Sequence, residues 1–447
     1  MNAAPDTDNP RIPFALPFIG KEEEEAALRV LRSGWLTTGQ EALAFEREFA
    51  DFLNLHDGNN SLPPSPAPDT GAFRALAVNS ATSGLHLALE SLGIGPGDLA
   101  LVPSYTFTST AEVVRYLGAE PVFVDIAPGT FHMDPRALER TLERLSAGLP
   151  AYPPRRGDTG EGFGPRGQAR AVIPVHVGGL PCDMVSIMEI AGRYGLGVVE
   201  DAAHAFPARF PDGSWAGTLG DLGVFSFYAT KTITTGEGGM VLTRNKALAD
   251  RIAVMRSHGI DRAVWNRYTD ARASWYYEVV APGFKYNLPD ILAAVGRVQL
   301  SRARDLLEKR RAIGAKYDEA LGGDPALVLP PTGPGDARHL YPLGFNPEGA
   351  AGSPGAALTR DRFIEKLQNA GIGVSVHFIP LHTMPYYKKR YNLEEADFPE
   401  SLRRFRMTIS LPIWPGMEES QVERVITAVK TLVHGSAQDS RGASDPE

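Results

Sequence analysis

The sequence predicts an α/β protein with a large domain, built on a mostly parallel sheet, followed by a smaller α+β domain. Between residues 75 and 243, short apolar strands alternate with amphipathic helices, which is typical of a parallel sheet covered on both faces. After about residue 260 this alternation ends. The chain of 447 residues is also longer than one compact core usually holds. We therefore expect a large domain over residues 12–260, a small domain over residues 261–434 and a disordered tail over residues 435–447.

The composition excludes several classes of protein. The net charge is -8 and no block of Lys or Arg stands out, so nothing indicates a nucleic-acid or membrane partner. Cys182 is the only cysteine and the histidines are scattered, so we expect neither a disulfide nor a metal site. No apolar run approaches the roughly 18 residues of a membrane span, and the first residues lack the apolar segment of a signal peptide. We expect a soluble, cytoplasmic protein.

Two helices and two loops are predicted before the sheet begins. An apolar stripe predicts a helix over residues 21–33, and regularly spaced phenylalanines at positions 45, 49 and 52 predict a second one. The glycine-bounded residues 34–39 form a loop between them. Residues 57–71 are rich in Pro, Ser, Asp and Gly, so we interpret them as a surface loop insertion.

The alternating region supplies the strands of the large domain. Strands are predicted at residues 75–78, 99–103, 121–125, 171–175, 196–200 and 223–227, with a further short apolar run at 240–243. The helices predicted between them cover residues 85–92, a segment ending at 117, and residues 134–147 and 183–194. Residues 148–169 are dense in Gly, Pro and Arg and have no periodicity. We interpret them as a long loop insertion without an ordered conformation.

The small domain is less regular. Residues 262–289 are aromatic-rich and irregular, and one long helix is predicted over residues 292–321. Further elements are predicted near residues 339–345, 360–371, 373–379 and 418–433. A Pro/Gly/Ala-rich loop at residues 347–357 interrupts them.

Six side chains lie at or just past the ends of predicted strands. Ligands of parallel sheets bind at the carboxyl ends of the strands, so we treat these residues as one site. They are Thr82, Phe107, His176, Asp201, Ser226 and Lys231.

Lys231 is the residue around which this site is organised. It follows the buried strand at 223–227, where desolvation and nearby cations lower the pKa of an amine. Such a lysine can act as a nucleophile in Schiff-base chemistry. Most lysines after a strand are solvated, so this position alone does not identify a site.

The neighbouring residues narrow the chemistry. The small-residue turn at 79–84 precedes a helix and could bind an anion through its N–H groups, although an N-cap without a ligand fits equally. An acid of the stretch 200–204 could pair with the N–H⁺ of a pyridine ring. It could also be an ordinary solvated or ion-paired acid.

Three further side chains have both a functional and a structural interpretation. Phe107 could stack on a flat ring or belong to the core. Ser226 could bind phosphate or satisfy a neighbour. His204 could hydrogen-bond a phenolic oxygen or be a buried structural histidine. No dinucleotide-binding, P-loop or nucleophile-elbow motif follows a strand.

From Ile12 to Val433 the chain resembles the DegT/DnrJ/EryC1/StrS family of sugar aminotransferases, which are pyridoxal phosphate enzymes of the aspartate-aminotransferase fold (fold type I). The matching stretches occur in the family's order. They are residues 34–39, 79–89, 103–107, 200–205, 226–231, 236–239, 283–290, 371–377, 380–382 and 410–412. The resemblance implies that the sheet of the large domain has seven strands.

The resemblance implies a role for each matched residue toward pyridoxal phosphate. Lys231 would form the Schiff base and carry the proton, Asp201 would pair with the pyridine nitrogen, and His204 would lie near the phenolic oxygen. The residues that would hold the ring and the phosphate are Phe107, Ala81, Thr82 and Ser226.

The resemblance also implies a homodimer with shared active sites. Asn287 of one subunit would reach the phosphate in the other, although many relatives carry this asparagine two positions earlier, where this chain has Lys285. The residues that would bind the substrate are Trp35, Thr37, His377 and His382.

The implied reaction is a transamination. Family members that dehydrate sugars carry a histidine in place of the lysine, whereas this chain has Lys231. An amino acid, most often glutamate in this family, would donate the amino group to a keto group of a nucleotide-linked deoxysugar, for a surface polysaccharide, a glycan or a glycosylated metabolite. The alternatives are another pyridoxal phosphate reaction on a sugar, or a cofactor-binding regulatory protein without turnover.

Overall fold

The computed structural model describes residues 10–54, 71–261 and 277–435. Three predicted segments therefore lie wholly or largely outside the described residues. They are the loop at 57–71, the first half of the irregular stretch 262–289, and the tail at 435–447.

A seven-stranded sheet forms the centre of the large domain. Its strands are β1 (Arg74–Val78), β2 (Asp98–Pro103), β3 (Glu120–Val124), β4 (Gln168–Val172), β5 (Gly197–Asp201), β6 (Leu222–Ser226) and β7 (Gly239–Thr243). Their order across the sheet is β1-β7-β6-β5-β4-β2-β3, and only β7 runs antiparallel to its neighbours. The predicted mostly parallel sheet is confirmed.

Thirteen α-helices fall within the described residues. They are α1 (Lys21–Ser33), α2 (Gln40–Asn54), α3 (Ala81–Ser91), α4 (Ser109–Tyr116), α5 (Pro135–Ser146), α6 (Met184–Tyr194), α7 (Lys246–Met255), α8 (Asp290–Ser301), α9 (Ala303–Leu321), α10 (Arg360–Asn369), α11 (Pro385–Tyr391), α12 (Pro399–Met407) and α13 (Glu419–His434). None of them is long and apolar enough to cross a membrane. The predicted long helix at 292–321 is two helices, because Arg302 leaves helical geometry with φ -102 and ψ 3.

The two faces of the sheet are covered by different helices. Successive side chains of a strand point to opposite faces, so Val224 of β6 packs with α3 to α7 while Phe225 packs with α2, α8 and the start of α9. On the second face the ring of Phe49 lies 5.1 Å from Phe225 and 5.6 Å from Phe227. Helix α8 and the first turns of α9 thus belong to the core of the large domain.

The small domain has a separate core. Its sheet contains β8 (Leu327–Val328), β9 (Tyr341–Phe345) and β10 (Thr408–Leu411), in the antiparallel order β10-β9-β8. This core begins at Ile313 of α9 and also includes Ile12 from the N-terminal segment. The first turns of α9 therefore pack in the core of the large domain and the rest of α9 packs in the core of the small domain. This change lies later in the chain than the boundary predicted at residue 260. Residues 373–379, predicted as an element, contribute only the isolated bridge of Ser375 to Ser410.

The insertion at residues 148–169 is ordered, so the prediction of a disordered loop is wrong. Tyr152 and Phe163 exchange backbone hydrogen bonds of 3.0 Å, and the Tyr152 hydroxyl accepts a 2.8 Å bond from the N–H of Phe123 in β3. The guanidinium of Arg155 donates to both carboxylate oxygens of Asp397, at 3.0 and 2.8 Å, and to the carbonyl of Asn392 at 2.6 Å. These long-range contacts fix the insertion against the segment that precedes α12.

We predict that Arg155→Ala loosens this insertion without unfolding the protein. The contacts of Arg155 are worth about 1–2 kcal/mol, so hydrogen exchange of the Tyr152 and Phe163 amides should accelerate roughly tenfold. Arg156→Ala, which removes an exposed neighbour, is the matched control. Unchanged exchange in Arg155→Ala would show that the insertion is held by other contacts.

Candidate active site

The carboxyl ends of the central strands open into a cavity of about 590 Å³ between the two domains. Most of the predicted cofactor-site residues line it. They are Ala81, Thr82, Phe107, Asp201, His204, Ser226 and Lys231, joined by the predicted substrate residue His377. His176, which also follows a strand, is fully buried behind the cavity, where its Nε2 lies 2.9 Å from a carboxylate oxygen of Glu200.

Lys231 enters the cavity from the loop after β6. Its N–H donates to the carbonyl of Tyr228 at 2.9 Å, which closes a tight turn. Burial lowers the pKa of the Lys231 amine to about 7, against the opposing effect of the Asp201 carboxylate and with a further lowering by the Arg310 guanidinium. A substantial share of this amine is therefore uncharged, and nucleophilic, at neutral pH.

Asp201 ends β5 on the floor of the cavity. Its Oδ2 accepts a 2.9 Å bond from the Thr110 hydroxyl, and its Oδ1 accepts a 3.2 Å bond from the N–H of Ala203. Burial raises the pKa of Asp201, while these bonds and the nearby Lys231 oppose that rise. The result is a carboxylate of fixed orientation that can pair with a cationic N–H group.

His204 is an uncharged ring beside this pair. Its Nδ1 accepts a 3.3 Å bond from the N–H of Gly178, which assigns the remaining proton to Nε2. Burial and the neighbouring Lys231 lower the pKa of His204 well below its ordinary value. The ring stacks on Phe378 with centroids 5.6 Å apart. His204 can thus donate one hydrogen bond without carrying charge.

The start of α3 forms the other end of the cavity. The hydroxyl of Ser80 caps the helix by accepting a 3.1 Å bond from the N–H of Ser83. Ala81 and Thr82 occupy the first turn, where N–H groups have no acceptor within the helix. Gly239 of β7 packs so closely that a Cβ there would lie 2.8 Å from the Ala81 nitrogen. This is a narrow cradle for a phosphate group.

Phe107 presents an open aromatic face. Its side chain is 58% exposed and lines the cavity, 6.2 Å from the ring of Phe378. An exposed ring beside a cavity fits the expected stacking on a flat ligand better than a core position.

Three predicted residues form a separate group outside this cavity. Asn287 donates a 2.6 Å bond to the hydroxyl of Thr38, and the indole of Trp35 donates to the carbonyl of Thr38 at 3.3 Å. The carbonyl of Thr37 accepts a 3.3 Å bond from the N–H of Asp290. The structure therefore places Trp35, Thr37 and Asn287 around Thr38 and Asp290, and none of the three lines the Lys231 cavity of the same chain.

The two predicted substrate histidines differ. His377 lines the cavity, with Nδ1 2.9 Å from the Ser410 hydroxyl, and burial with the nearby Lys231 lowers its pKa to about 4. His382 does not line it. That ring is fully buried between the Ser104 hydroxyl, 2.5 Å away, and the carbonyl of Glu395. This burial and these two contacts do not support a role in substrate binding for His382, which stays a prediction.

Sequence reasoning did not identify three residues of the site. Thr110 orients Asp201, Arg310 lies behind Lys231, and the ring of His339 lies 4.5 Å from that of His204. None of them belongs to a motif with a chemical signature. The only local signal is for Thr110, which lies in the run of serines and threonines after β2, and such a run indicates no more than a polar strand end. Among the described residues no group of three or more side chains could hold a metal ion.

The polar groups of the cavity fit pyridoxal phosphate. An uncharged amine suits its aldehyde, a buried carboxylate suits its pyridine nitrogen, and a helix N-terminus suits its phosphate. The fold and the site together define a pyridoxal phosphate-dependent enzyme of fold type I, and the predicted cofactor is confirmed.

The chain belongs to the DegT/DnrJ/EryC1/StrS aminotransferase family, whose model matches residues 17–60 and 67–430. It is 41% identical over 429 residues to the spore coat polysaccharide biosynthesis protein SpsC of Bacillus subtilis (strain 168), covering 95% of this chain and 98% of SpsC.

Solved structures show the same similarity. The PLP form of Spr1654 from Streptococcus pneumoniae, described as a sugar aminotransferase, has a TM-score of 0.75 at 27% identity, covering 95% of this chain and 98% of that one. The aminotransferase TlmJ from Streptoalloteichus hindustanus has a TM-score of 0.75 at 30% identity, covering 95% and 99%. The chain thus belongs to the class of sugar aminotransferases.

We predict that Ser226→Ala weakens binding of pyridoxal phosphate by roughly ten- to a hundredfold, since a hydrogen bond to a charged group is worth about 1.5–3 kcal/mol. Equilibrium dialysis of the cofactor-free protein against pyridoxal phosphate measures this loss of affinity. Ser91→Ala, at the other end of α3, is the control, because its hydroxyl bonds only the Ala88 carbonyl. Equal affinity of the two variants would remove Ser226 from the phosphate site.

Proposed function

We propose that this protein transfers the amino group of L-glutamate to a keto group of a nucleotide-linked deoxysugar. The observation that carries the proposal is the Lys231 amine, which has a pKa of about 7 and faces a cavity whose other polar groups fit pyridoxal phosphate. Glutamate is the usual donor in the family. The name of SpsC supports a product destined for a surface polysaccharide.

Lys231 carries the proton in both half-reactions. Bound pyridoxal phosphate supplies an electron sink, which permits cleavage of a C–H bond next to the transferred nitrogen. The Nζ of Lys231 would take that proton from one carbon and deliver it to the other of the pair, the substrate carbon and the C4′ of the cofactor, so it must be uncharged when it accepts. Its lowered pKa permits this near neutral pH.

The other residues hold the cofactor in place. Asp201, in the orientation that Thr110 sets, would pair with the pyridine N–H⁺, and His204 would donate from Nε2 to the phenolic oxygen. Phe107 would cover one face of the ring and exclude water from it. The N–H groups of Ala81 and Thr82 would bind the phosphate together with the Ser226 hydroxyl.

A second copy of the chain completes the site. Of the described residues that line the cavity, Lys231 is the only lysine or arginine, so the carboxylates of a donor have no guanidinium partner there. The group of Trp35, Thr37 and Asn287 lies outside its own cavity, which supports a role in the cavity of a partner subunit. Lys285, the alternative to Asn287, is exposed. We also place the homodimer in the cytoplasm, where nucleotide-linked sugars and glutamate are available.

Two other functions are less well supported. Family members that dehydrate sugars have a histidine at the position that Lys231 occupies in this chain. A regulatory protein without turnover would not require a buried amine with a lowered pKa. The presence of this amine favours transamination over both.

We predict that L-glutamate converts the bound cofactor to pyridoxamine phosphate. Absorbance spectra of the loaded protein before and after addition of glutamate measure the conversion. Lys231→Ala should slow this conversion at least a thousandfold, since the general base is removed. Lys246→Ala, which removes an exposed lysine of α7, should retain it. A spectrum that glutamate does not change would contradict the donor assignment.

We predict that mixed dimers restore activity. Lys231→Ala and Asn287→Ala homodimers should each be inactive or impaired. After random exchange of subunits, half of the dimers are heterodimers, and each heterodimer has one site with both residues intact. The mixture should therefore have about a quarter of wild-type activity. A parallel mixture uses Lys285→Ala in place of Asn287→Ala. Comparison of the two mixtures shows which of the two residues acts in the site of the partner subunit. Absence of rescue in both mixtures would contradict a shared site.

A further inference from the structure

Arg310 of α9 is the largest fully buried side chain among the described residues, at 2% exposure. Burial lowers the pKa of its guanidinium to about 10, and no acidic neighbour raises it. It is therefore a buried cation at neutral pH without a carboxylate partner in the described part of the chain. Such a group is costly unless carbonyl oxygens compensate it.

The hydrogen bonds of Arg310 all end on the walls of the cavity. One terminal nitrogen, Nη1, donates to the carbonyls of Ile413 at 2.8 Å and His339 at 3.2 Å. The other, Nη2, donates to the carbonyls of Thr230 at 3.2 Å and Lys231 at 3.5 Å. All four acceptors belong to residues that line the cavity. Two come from the loop after β6 in the large domain and two from the small domain.

We propose that Arg310 is a positioning residue of the active site, which fastens the Lys231 loop to the small-domain wall and places a fixed positive charge behind the lysine. A planar guanidinium can bond carbonyls on several sides at once, which a lysine ammonium at this position could not reproduce. The inference rests on the proposed role of Lys231 and extends it to a residue that touches neither cofactor nor substrate.

The charge of Arg310 acts on the amine through space. The Asp201 carboxylate faces Lys231 and favours its charged form, whereas Arg310 disfavours it. The surrounding rings of His204, His339 and His377 are uncharged, because burial lowers the pKa of each. Glu237 lines the outer cavity. Burial is the main cause of the lowered pKa of Lys231, and Arg310 is the cation that adds to it against the opposing effect of Asp201.

The test measures the pKa of Lys231 in the full chain stripped of cofactor. Trace acetylation with acetic anhydride at a series of pH values, followed by peptide mass spectrometry, gives the free-amine fraction of Lys231. This needs neither donor nor sugar. If glutamate proves not to be the donor while the pKa of Lys231 still depends on Arg310, the proposed function fails and this inference stands.

Arg310→Gln should raise the pKa of Lys231 by about one unit, which lowers the free-amine fraction at pH 7 about fivefold. Arg310→Lys keeps the charge and should leave the pKa of Lys231 near the wild-type value, but the glutamate half-reaction should slow roughly tenfold because the loop is held by fewer bonds. Arg311→Gln, which removes a half-buried guanidinium of the same helix that does not line the cavity, is the control.

A folded Arg310→Gln protein, with the melting temperature of the control and the wild-type pKa of Lys231, would overturn the proposal. If Arg310→Gln does not fold, the remaining proteins decide. Wild-type Lys231 titrating near the ordinary lysine pKa of about 10.4, or Arg310→Lys with wild-type turnover, would overturn it. A lowered wild-type pKa that Arg310→Lys retains, together with slower turnover, would support it.

Discussion

The desolvation of one amine determines much of this structure. Lys231 must be buried to stay uncharged, yet it must remain accessible from the cavity. The loop after β6 meets both requirements, because the strand before it is fully buried and the turn at Tyr228 directs the lysine into the space between the domains. Asp201 pulls the pKa of Lys231 upward and burial pulls it downward, so the balance near pH 7 depends on how rigidly both residues are held.

That rigidity comes from buried polar groups behind the cavity. The carboxylate of Glu200, adjacent to Asp201, accepts N–H bonds from Gly217, Leu219 and Gly220 as well as its contact with His176. The ring nitrogen Nδ1 of His176 accepts the N–H of Cys182, so the ring donates from Nε2 to Glu200. A fully satisfied network of this kind fixes the ends of β4 and β5, and Asp201 is the last residue of β5.

The sequence predicted those parts of the site that are local in the chain. Lys231, Asp201 and the turn before α3 each lie at or just after the end of a strand. The alternation of strands and helices and the small residues of the turn were therefore sufficient to predict that they lie close together. The insertion at 148–169 was missed because its order depends on Arg155 meeting Asp397, a contact that no local composition reveals. Arg310 was missed for the same reason: its acceptors are distant in sequence and are backbone carbonyls. The burial of His382 was not predicted either, because a motif position says nothing about which way a ring faces.

The most direct test of the account is to identify the lysine that binds the cofactor. Borohydride reduction of the protein loaded with pyridoxal phosphate makes that bond permanent, and peptide mass spectrometry then locates it. The account predicts a single phosphopyridoxyl group on Lys231, absent after Lys231→Ala. Stable labelling of a different lysine in the wild-type protein would contradict the assignment on which the site, the proposed function and the role of Arg310 all depend.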